Sequence, residues 1–377
     1  MRLYLIVPSV LFAAACVGDG TSAIPRDPCA ANFSFGVRTS SGAGTTTWAV
    51  LPQATDGCIT QRLDSHFVNR ATDVSPVGRL FVFLPGTGAI AQNYRLVVLE
   101  AARAGYHAIG LSYPNAQAVG TLCAAQTTAC YAATRTEILT GQATSAEVTV
   151  DRANSIENRL VKALRYMRST DVAGNWGQFL VSDTAVVWAK VSIAGHSQGG
   201  GHALFIAKRY AVWRATAYAS GGDLLPGGGR APWVAAPFAT DSAALFGFIS
   251  TADEVVSPTE TLAAWNAVGM SGATVNVDAV APPFGAAHRF VTTATPQNPG
   301  IVVGPNHNVV VVDVNTPTVL GIGAPVFRAV WRALSDPGIA AISPDGVLTA
   351  LRSGQVLVAA RVEGRVGTAR VVVAPRD

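Results

Sequence analysis

Short apolar segments recur along most of the chain, each bounded by Gly, Pro, Ser or Asp. Runs this short and this apolar are typical of strands that are buried on both faces of a sheet. The segments are residues 80–84, 108–113, 191–194, 215–219, 245–250 and 275–280, with weaker strand patterns at 33–38 and 48–51.

Amphipathic helical patterns lie between these predicted strands. In residues 151–169, Ile156, Leu160, Leu164 and Met167 recur at three- and four-residue spacing, which places them on one face of a helix. Similar patterns occupy residues 93–104, 202–210, 260–268 and 325–334. The alternation of strands and helices predicts an α/β fold with a mainly parallel, doubly wound sheet.

Two segments interrupt the alternation. Residues 115–150 are rich in Ala, Thr and Gln and lack a strong period, so we expect an insertion over the top of the sheet. Residues 339–373 alternate β patterns with turns and contain no helical pattern, which predicts a small all-β appendage. The expected division is therefore a signal over 1–16, a linker over 17–30, an α/β domain over 31–334 and a β segment over 335–377.

The N-terminus has the pattern of a secretory signal, because Met1-Arg2 precedes an apolar run that ends in Ala13-Ala14-Ala15. The run is too short to span a bilayer. Cys16 follows three small residues and also fits a loose lipoprotein signal, in which a lipid on Cys16 would tether the chain to a membrane. We therefore expect a secreted or periplasmic protein, with anchoring in a bacterial cell envelope as the alternative.

Four further cysteines suit an exported chain that forms disulfides. Three pairings of Cys29, Cys58, Cys123 and Cys130 are possible, of which Cys29–Cys58 with Cys123–Cys130 closes the shortest loops. No Cys-x-x-Cys occurs and no His lies beside these cysteines, so a metal site is not indicated. No cofactor is implied.

Composition excludes several other classes. Among 377 residues, charged residues make up only 13% and the formal net charge is +4. No run of more than two consecutive Lys or Arg residues is present, which argues against nucleic-acid binding. A mean hydropathy of +0.32 is high, but Pro, Gly, Asn and Gln interrupt the internal uncharged stretches, so membrane helices are not expected.

The strongest chemical motif is Gly195-His196-Ser197-Gln198-Gly199. It follows a predicted strand and precedes a helical segment, which is the context of a nucleophile elbow. Such a turn presents the serine hydroxyl at the C-terminal edge of the sheet, with a helix N-terminus facing a developing oxyanion. Ser197 is therefore the candidate nucleophile.

A serine nucleophile needs a base and an orienting acid, which in this kind of fold follow it in the order acid, then His. Asp253 lies just past the predicted strand 245–250 and is the first choice for the acid, and Asp223 is the second. Asp278 and Asp241 are weaker candidates. The base is either His288 or His307, and position along the chain slightly favours His288.

The expected oxyanion hole consists of two backbone N–H groups. One is that of Gln198, the residue after the nucleophile. The other is that of Thr87, in the loop Pro85-Gly86-Thr87-Gly88 that follows the strand 80–84.

With these motifs, the chain resembles the α/β-hydrolase superfamily over roughly residues 31–334, and more narrowly a group of bacterial secreted hydrolases. The similar stretches are residues 83–88, 105–113, 195–202, Cys123 and Cys130 before 137–141, and His307-Asn308 before 311–313 and 316–317. This resemblance implies a Ser-His-Asp ester hydrolase and tips the base assignment to His307. The tail resembles the later half of a bacterial group 2 immunoglobulin-like domain, which implies attachment to a cell-surface polymer.

We therefore expect a serine hydrolase that cleaves carboxylic esters, small or polymeric, through an acyl-enzyme. Ser197 would be the nucleophile, His307 the base and Asp253 the orienting acid. An exported peptidase or a polyester depolymerase is the alternative among enzymes. A catalytically inactive surface-binding protein is the alternative outside enzymes.

Overall fold

The fold is taken from a computed structural model that describes residues 29–33, 37–42, 44–280, 282, 284, 287–300 and 302–335, together with four C-terminal strands. The predicted signal, Cys16 and most of the predicted linker lie outside the described residues. In the part that is described, the strands are β1 Arg38–Gly42, β2 Thr45–Val50, β3 His66–Ala71, β4 Leu80–Leu84, β5 His107–Gly110, β6 Leu180–Ser182, β7 Ala185–Val186, β8 Val191–His196, β9 Arg214–Tyr218, β10 Leu245–Ser250, β11 Thr274–Asn276, β12 Arg289–Thr292, β13 Ala340–Ile342, β14 Leu348–Ala350, β15 Gly354–Val362 and β16 Arg365–Val373.

The helices of the described residues alternate with these strands. They are α1 Pro52–Thr55, α2 Arg95–Arg103, α3 Val119–Cys123, α4 Ala129–Thr140, α5 Ile156–Thr170, α6 Gln198–Arg209, α7 Pro258–Ala267, α8 Pro305–Asn308 and α9 Arg328–Ser335. The stripe expected on one helix face is buried in α5, where Ile156, Leu160, Leu164 and Met167 are all covered.

A ten-stranded sheet organises the molecule, in the order β1-β2-β3-β5-β4-β8-β9-β10-β12-β11. From β5 to β11 every neighbouring pair is parallel, whereas β1, β2 and β3 extend one edge with antiparallel pairs. All residues of β4, β5, β8 and β10 are buried. Both faces of these strands are therefore covered, and the parallel pairing confirms the expected mainly parallel α/β sheet.

Two pairs of helices cover the sheet, α2 with α9 and α6 with α4. Helix α2 contacts β3, β4 and β5 and also packs against α9, while α6 contacts β4, β8 and β9 and packs against α4. Buried Glu100 of α2 joins the first pair, because its carboxylate binds the guanidinium groups of Arg328 and Arg332 of α9.

Several strand and helix predictions need correction. The strand expected over residues 275–280 is β11, which ends at Asn276 and lies at the sheet edge. The strand beside β10 is instead β12, a four-residue segment too short to stand out in the sequence. The early strand begins at Arg38, whereas Phe33 lies in a turn. Residues 115–150 contain α3 and α4 in addition to loops.

Two disulfides are present in the described chain, Cys29–Cys58 and Cys123–Cys130. They are the pairing with the shortest loops, and the second one closes the segment between α3 and α4. Disulfides persist in oxidising compartments outside the cytoplasm. Among the described residues, no helix has both the length and the apolar character needed to cross a membrane.

The C-terminal strands form two hairpins, β13 with β14 and β15 with β16. Both pairs are antiparallel, as expected for an all-β segment. The sequence predicts turns at Pro344-Asp345-Gly346 and Arg352-Ser353-Gly354. The first turn lies outside the described residues, as do Arg352 and Ser353 of the second, whereas Gly354 begins β15.

Candidate active site

Ser197 lies in a sharp turn between β8 and α6. Its backbone φ of 53° and ψ of −119° are unfavourable for a residue with a side chain. Its N–H donates a 2.9 Å hydrogen bond to the carbonyl of Tyr218 in the neighbouring strand, which braces the turn. The side chain is partly exposed, so the hydroxyl is accessible at the C-terminal edge of the sheet.

Two glycines of the motif permit close backbone contacts around this turn. A Cβ atom on Gly195 would overlap the carbonyl of Gly199. A Cβ atom on Gly199 would overlap the carbonyl oxygen of Leu84 and lie 2.6 Å from that of Pro85. Strand pairing explains this contact, since Leu84 is directly opposite Gly195. The loop after β4 is thereby held beside the serine.

We expect Gly199→Ala to destabilise the fold by about 1–3 kcal/mol, because the new methyl group must displace backbone atoms at the end of β4. Activity should fall with stability, since the adjoining turn carries Ser197. Gly42→Ala is the matched control, because a Cβ atom there meets no atom within 4 Å. Chemical denaturation of both variants checks this. Equal stability of the two variants would contradict the steric explanation.

The candidate acid and the candidate base are joined by a hydrogen bond at the same edge of the sheet. His307 Nδ1 lies 2.8 Å from Asp253 Oδ2, and both side chains are buried. The other carboxylate oxygen, Oδ1, accepts the backbone N–H groups of Val255 and Val256, at 2.9 Å each. Because Asp253 accepts at both oxygens, it orients the imidazole with the proton on Nδ1 and the Nε2 lone pair free.

Glu254 also holds this histidine, although it is not among the predicted site residues. Its carboxylate accepts the backbone N–H groups of Asn306 and His307, at 3.0 Å each. The consecutive carboxylates of Asp253 and Glu254 therefore bind the ring and the backbone of the same residue. Their adjacency in the sequence was the available signal.

His288 lies at the opposite end of β10. Its Nδ1 is 3.0 Å from the carbonyl of Leu245, the first residue of that strand, and its ring stacks on Phe246. Asp253 lies three residues beyond Ser250, the last residue of β10. The six-residue strand therefore separates His288 from Asp253 by about 16 Å. Burial lowers the pKa of His288, which is typical of a packed neutral histidine. The structure thus brings His307, and not His288, to Asp253.

The other acid candidates have different partners. Asp223 forms a buried bidentate ion pair with Arg135, with both N···O distances 2.6 Å, and accepts the indole N–H of Trp233 at 2.7 Å. Asp278 accepts from Thr292 and Thr293, and Asp241 caps a short 3-10 helix. These carboxylates do not bind either histidine.

The two proposed oxyanion donors belong to the loop after β4 and to the start of α6, which contact each other. Thr87 Oγ1 donates a 2.7 Å hydrogen bond to Gln198 Oε1 and so ties the loop after β4 to the first residue of α6. A residue that opens a helix has a backbone N–H with no intrahelical acceptor, and this applies to Gln198. Within the described part of the chain, the N–H of Thr87 also has no acceptor.

A cavity of about 480 Å³ opens beside Ser197 and Gln198. Its walls combine small residues with the aliphatic side chains of Val119, Leu224, Leu225, Val255 and Val256. The charges of Arg135 and Asp223 in its lining neutralise each other. Val119 belongs to the predicted insertion, so this segment forms part of the wall.

Comparisons with known proteins add little to this geometry. No protein-family model and no curated protein matches the chain. One similar solved structure is an acetyl xylan esterase from Paenibacillus sp. R4. It is 14% identical, and the match covers 62% of this chain and 78% of that chain with a TM-score of 0.29. Function must therefore be argued from the site itself.

Proposed function

We propose that the protein is a serine hydrolase that cleaves carboxylic esters. The observation that carries the proposal is the buried Asp253–His307 hydrogen bond at the sheet edge where the elbow presents Ser197. A nucleophile turn, a base and an orienting acid on one edge are the parts that acyl transfer needs.

In the proposed reaction, Ser197 Oγ attacks the ester carbonyl carbon while His307 Nε2 takes its proton. The resulting oxyanion accepts hydrogen bonds from the backbone N–H groups of Thr87 and Gln198. Collapse breaks the bond to the alcohol oxygen, to which His307 returns the proton. Water, activated by the same imidazole, then hydrolyses the acyl-enzyme.

The cavity favours uncharged substrates. Apolar and small residues form most of its lining, and the charges of Arg135 and Asp223 neutralise each other. The remaining carboxylate of the described lining, Glu260, accepts the N–H of Gly229. An uncharged acyl or alcohol group enters such a site without an unpaired charge being buried.

Export from the cytoplasm, which the disulfides favour, is part of the proposal.

Covalent labelling tests the proposed function directly. A fluorophosphonate should add one phosphonyl group to the intact protein, because an activated serine displaces its fluoride. Ser197→Ala should not be labelled, while the control Ser182→Ala, in the exposed strand β6, should be labelled like the parent protein. Intact mass spectrometry measures each adduct. Labelling that persists in Ser197→Ala would refute the assignment of the nucleophile.

A further inference from the structure

Tyr94 and His196 are buried where three loops of the candidate site meet. The N–H of Gly86 donates to Tyr94 Oη at 3.0 Å, and Tyr94 Oη lies 3.0 Å from His196 Nδ1. On its other side, His196 Nε2 lies 3.2 Å from the backbone carbonyl of His307. These contacts connect three segments. They are the loop 85–88 (the oxyanion loop), the turn of Ser197, and the segment that carries His307.

The donors and acceptors fix the direction of this chain of hydrogen bonds. Tyr94 accepts from Gly86, so its one hydroxyl proton is free to point to His196 Nδ1. Nδ1 is then the unprotonated nitrogen, and Nε2–H donates to the carbonyl of His307. Burial holds the pKa of His196 well below the usual value of a histidine and raises the pKa of Tyr94 above the usual value of a tyrosine. Both groups therefore remain neutral.

Packing leaves little room for other arrangements. Tyr94 and His196 are buried, and the His196 ring lies 4.7 Å from the His307 ring, centroid to centroid. A Cβ atom on Gly86 would lie 3.0 Å from His196 Nδ1 and 3.2 Å from Tyr94 Oη. A movement of His196 would therefore displace both the oxyanion loop and His307.

We propose that Tyr94 and His196 are positioning residues for ester hydrolysis, an inference that rests on the proposed function. Gly86 directly precedes Thr87, whose N–H is a proposed oxyanion donor, and His307 carries the base. The series of hydrogen bonds through Tyr94 and His196 sets the distance between the oxyanion loop and His307. A displacement of about 1 Å at such a site costs on the order of 100-fold in rate.

Tyr94→Phe tests the inference, because it removes the hydroxyl and keeps the ring. We expect kcat on p-nitrophenyl acetate to fall about 10- to 100-fold. KM should change less than about twofold, since Tyr94 and His196 are not among the residues that line the described cavity. Tyr106→Phe is the matched control, because it removes a buried hydroxyl that donates to the carbonyl of Ser335, outside the site. Its kcat should equal that of the parent protein.

A second pair of variants covers the case in which Tyr94→Phe does not fold. His196→Gln keeps one acceptor and one donor, so it should retain several-fold more kcat than His196→Leu, which keeps neither. An unchanged kcat in Tyr94→Phe, an equal loss in Tyr106→Phe, or equal values in the two His196 variants would each overturn the inference. Turnover that survives Ser197→Ala would instead refute the proposed function, which makes the two failures distinguishable.

Discussion

His307→Ala should lower kcat on a p-nitrophenyl ester by about 10⁴- to 10⁶-fold, the range found when single members of a catalytic triad are removed. The physical reason is that Ser197 would lose the group that takes its proton, and Asp253 would retain a buried carboxylate with no imidazole to orient. Steady-state kinetics measured with active-site titration of the parent protein give the comparison.

His288→Ala is the control for this prediction. It removes a buried imidazole that binds Leu245 at the far end of β10, so it should lower stability while kcat changes only a few-fold. The opposite result, with His288→Ala inactive and His307→Ala active, would overturn the assignment of the base. Loss of activity in both variants with normal folding would also count against it.

Asp223→Ala should destabilise the fold by about 3–5 kcal/mol, the cost of leaving one charge of a buried pair without its partner. Arg135 and Asp223 are both 2% exposed, so the guanidinium would stay buried with the carbonyl of Gln198 as its remaining acceptor. The indole N–H of Trp233 would lose its acceptor as well. Urea or guanidinium denaturation, analysed as a two-state transition, measures the change.

Two further variants show whether the unpaired charge is the cause. Asp183→Ala removes a carboxylate that is 55% exposed and pairs with Arg165 and Arg168, so its cost should stay below about 1 kcal/mol. The double variant Arg135→Met with Asp223→Leu removes both charges and should be more stable than Asp223→Ala. A double variant no more stable than Asp223→Ala would contradict this explanation.

The elements near Ser197 were predictable because their signals are local in the sequence. A run of buried residues followed by Gly-x-Ser-x-Gly specifies a strand, a turn and a helix start within a dozen residues, and the structure has β8, the turn and α6 there. The same locality explains the shortest-loop pairing Cys123–Cys130. The parallel sheet followed from the repetition of such signals.

Pattern and position along the chain could not decide the partners of the candidate acids, because these depend on contacts between distant parts of the chain. The pairing of Asp253 with His307 followed only from the family resemblance. Asp253 and His307 are 54 residues apart, and Asp223 and Arg135 are 88 residues apart. Without these contacts, Asp223 remained an alternative acid. The roles of Tyr94 and Glu254 were missed for the same reason, since each acts on the backbone of another segment.

The location of His307 has a consequence for how such a site changes during evolution. The candidate nucleophile lies in the tight turn between β8 and α6, whereas the candidate base belongs to residues 293–327. These residues form a long connection between β12 and α9 whose regular structure includes the four-residue helix α8. The exposed parts of this connection can accept insertions and substitutions at little cost to the framework, whereas Val309, Val310 and Val311 after the histidine are buried in the core. The surroundings of His307 can therefore change in evolution without a change at the turn of Ser197, provided that the carboxylates of Asp253 and Glu254 still hold the histidine.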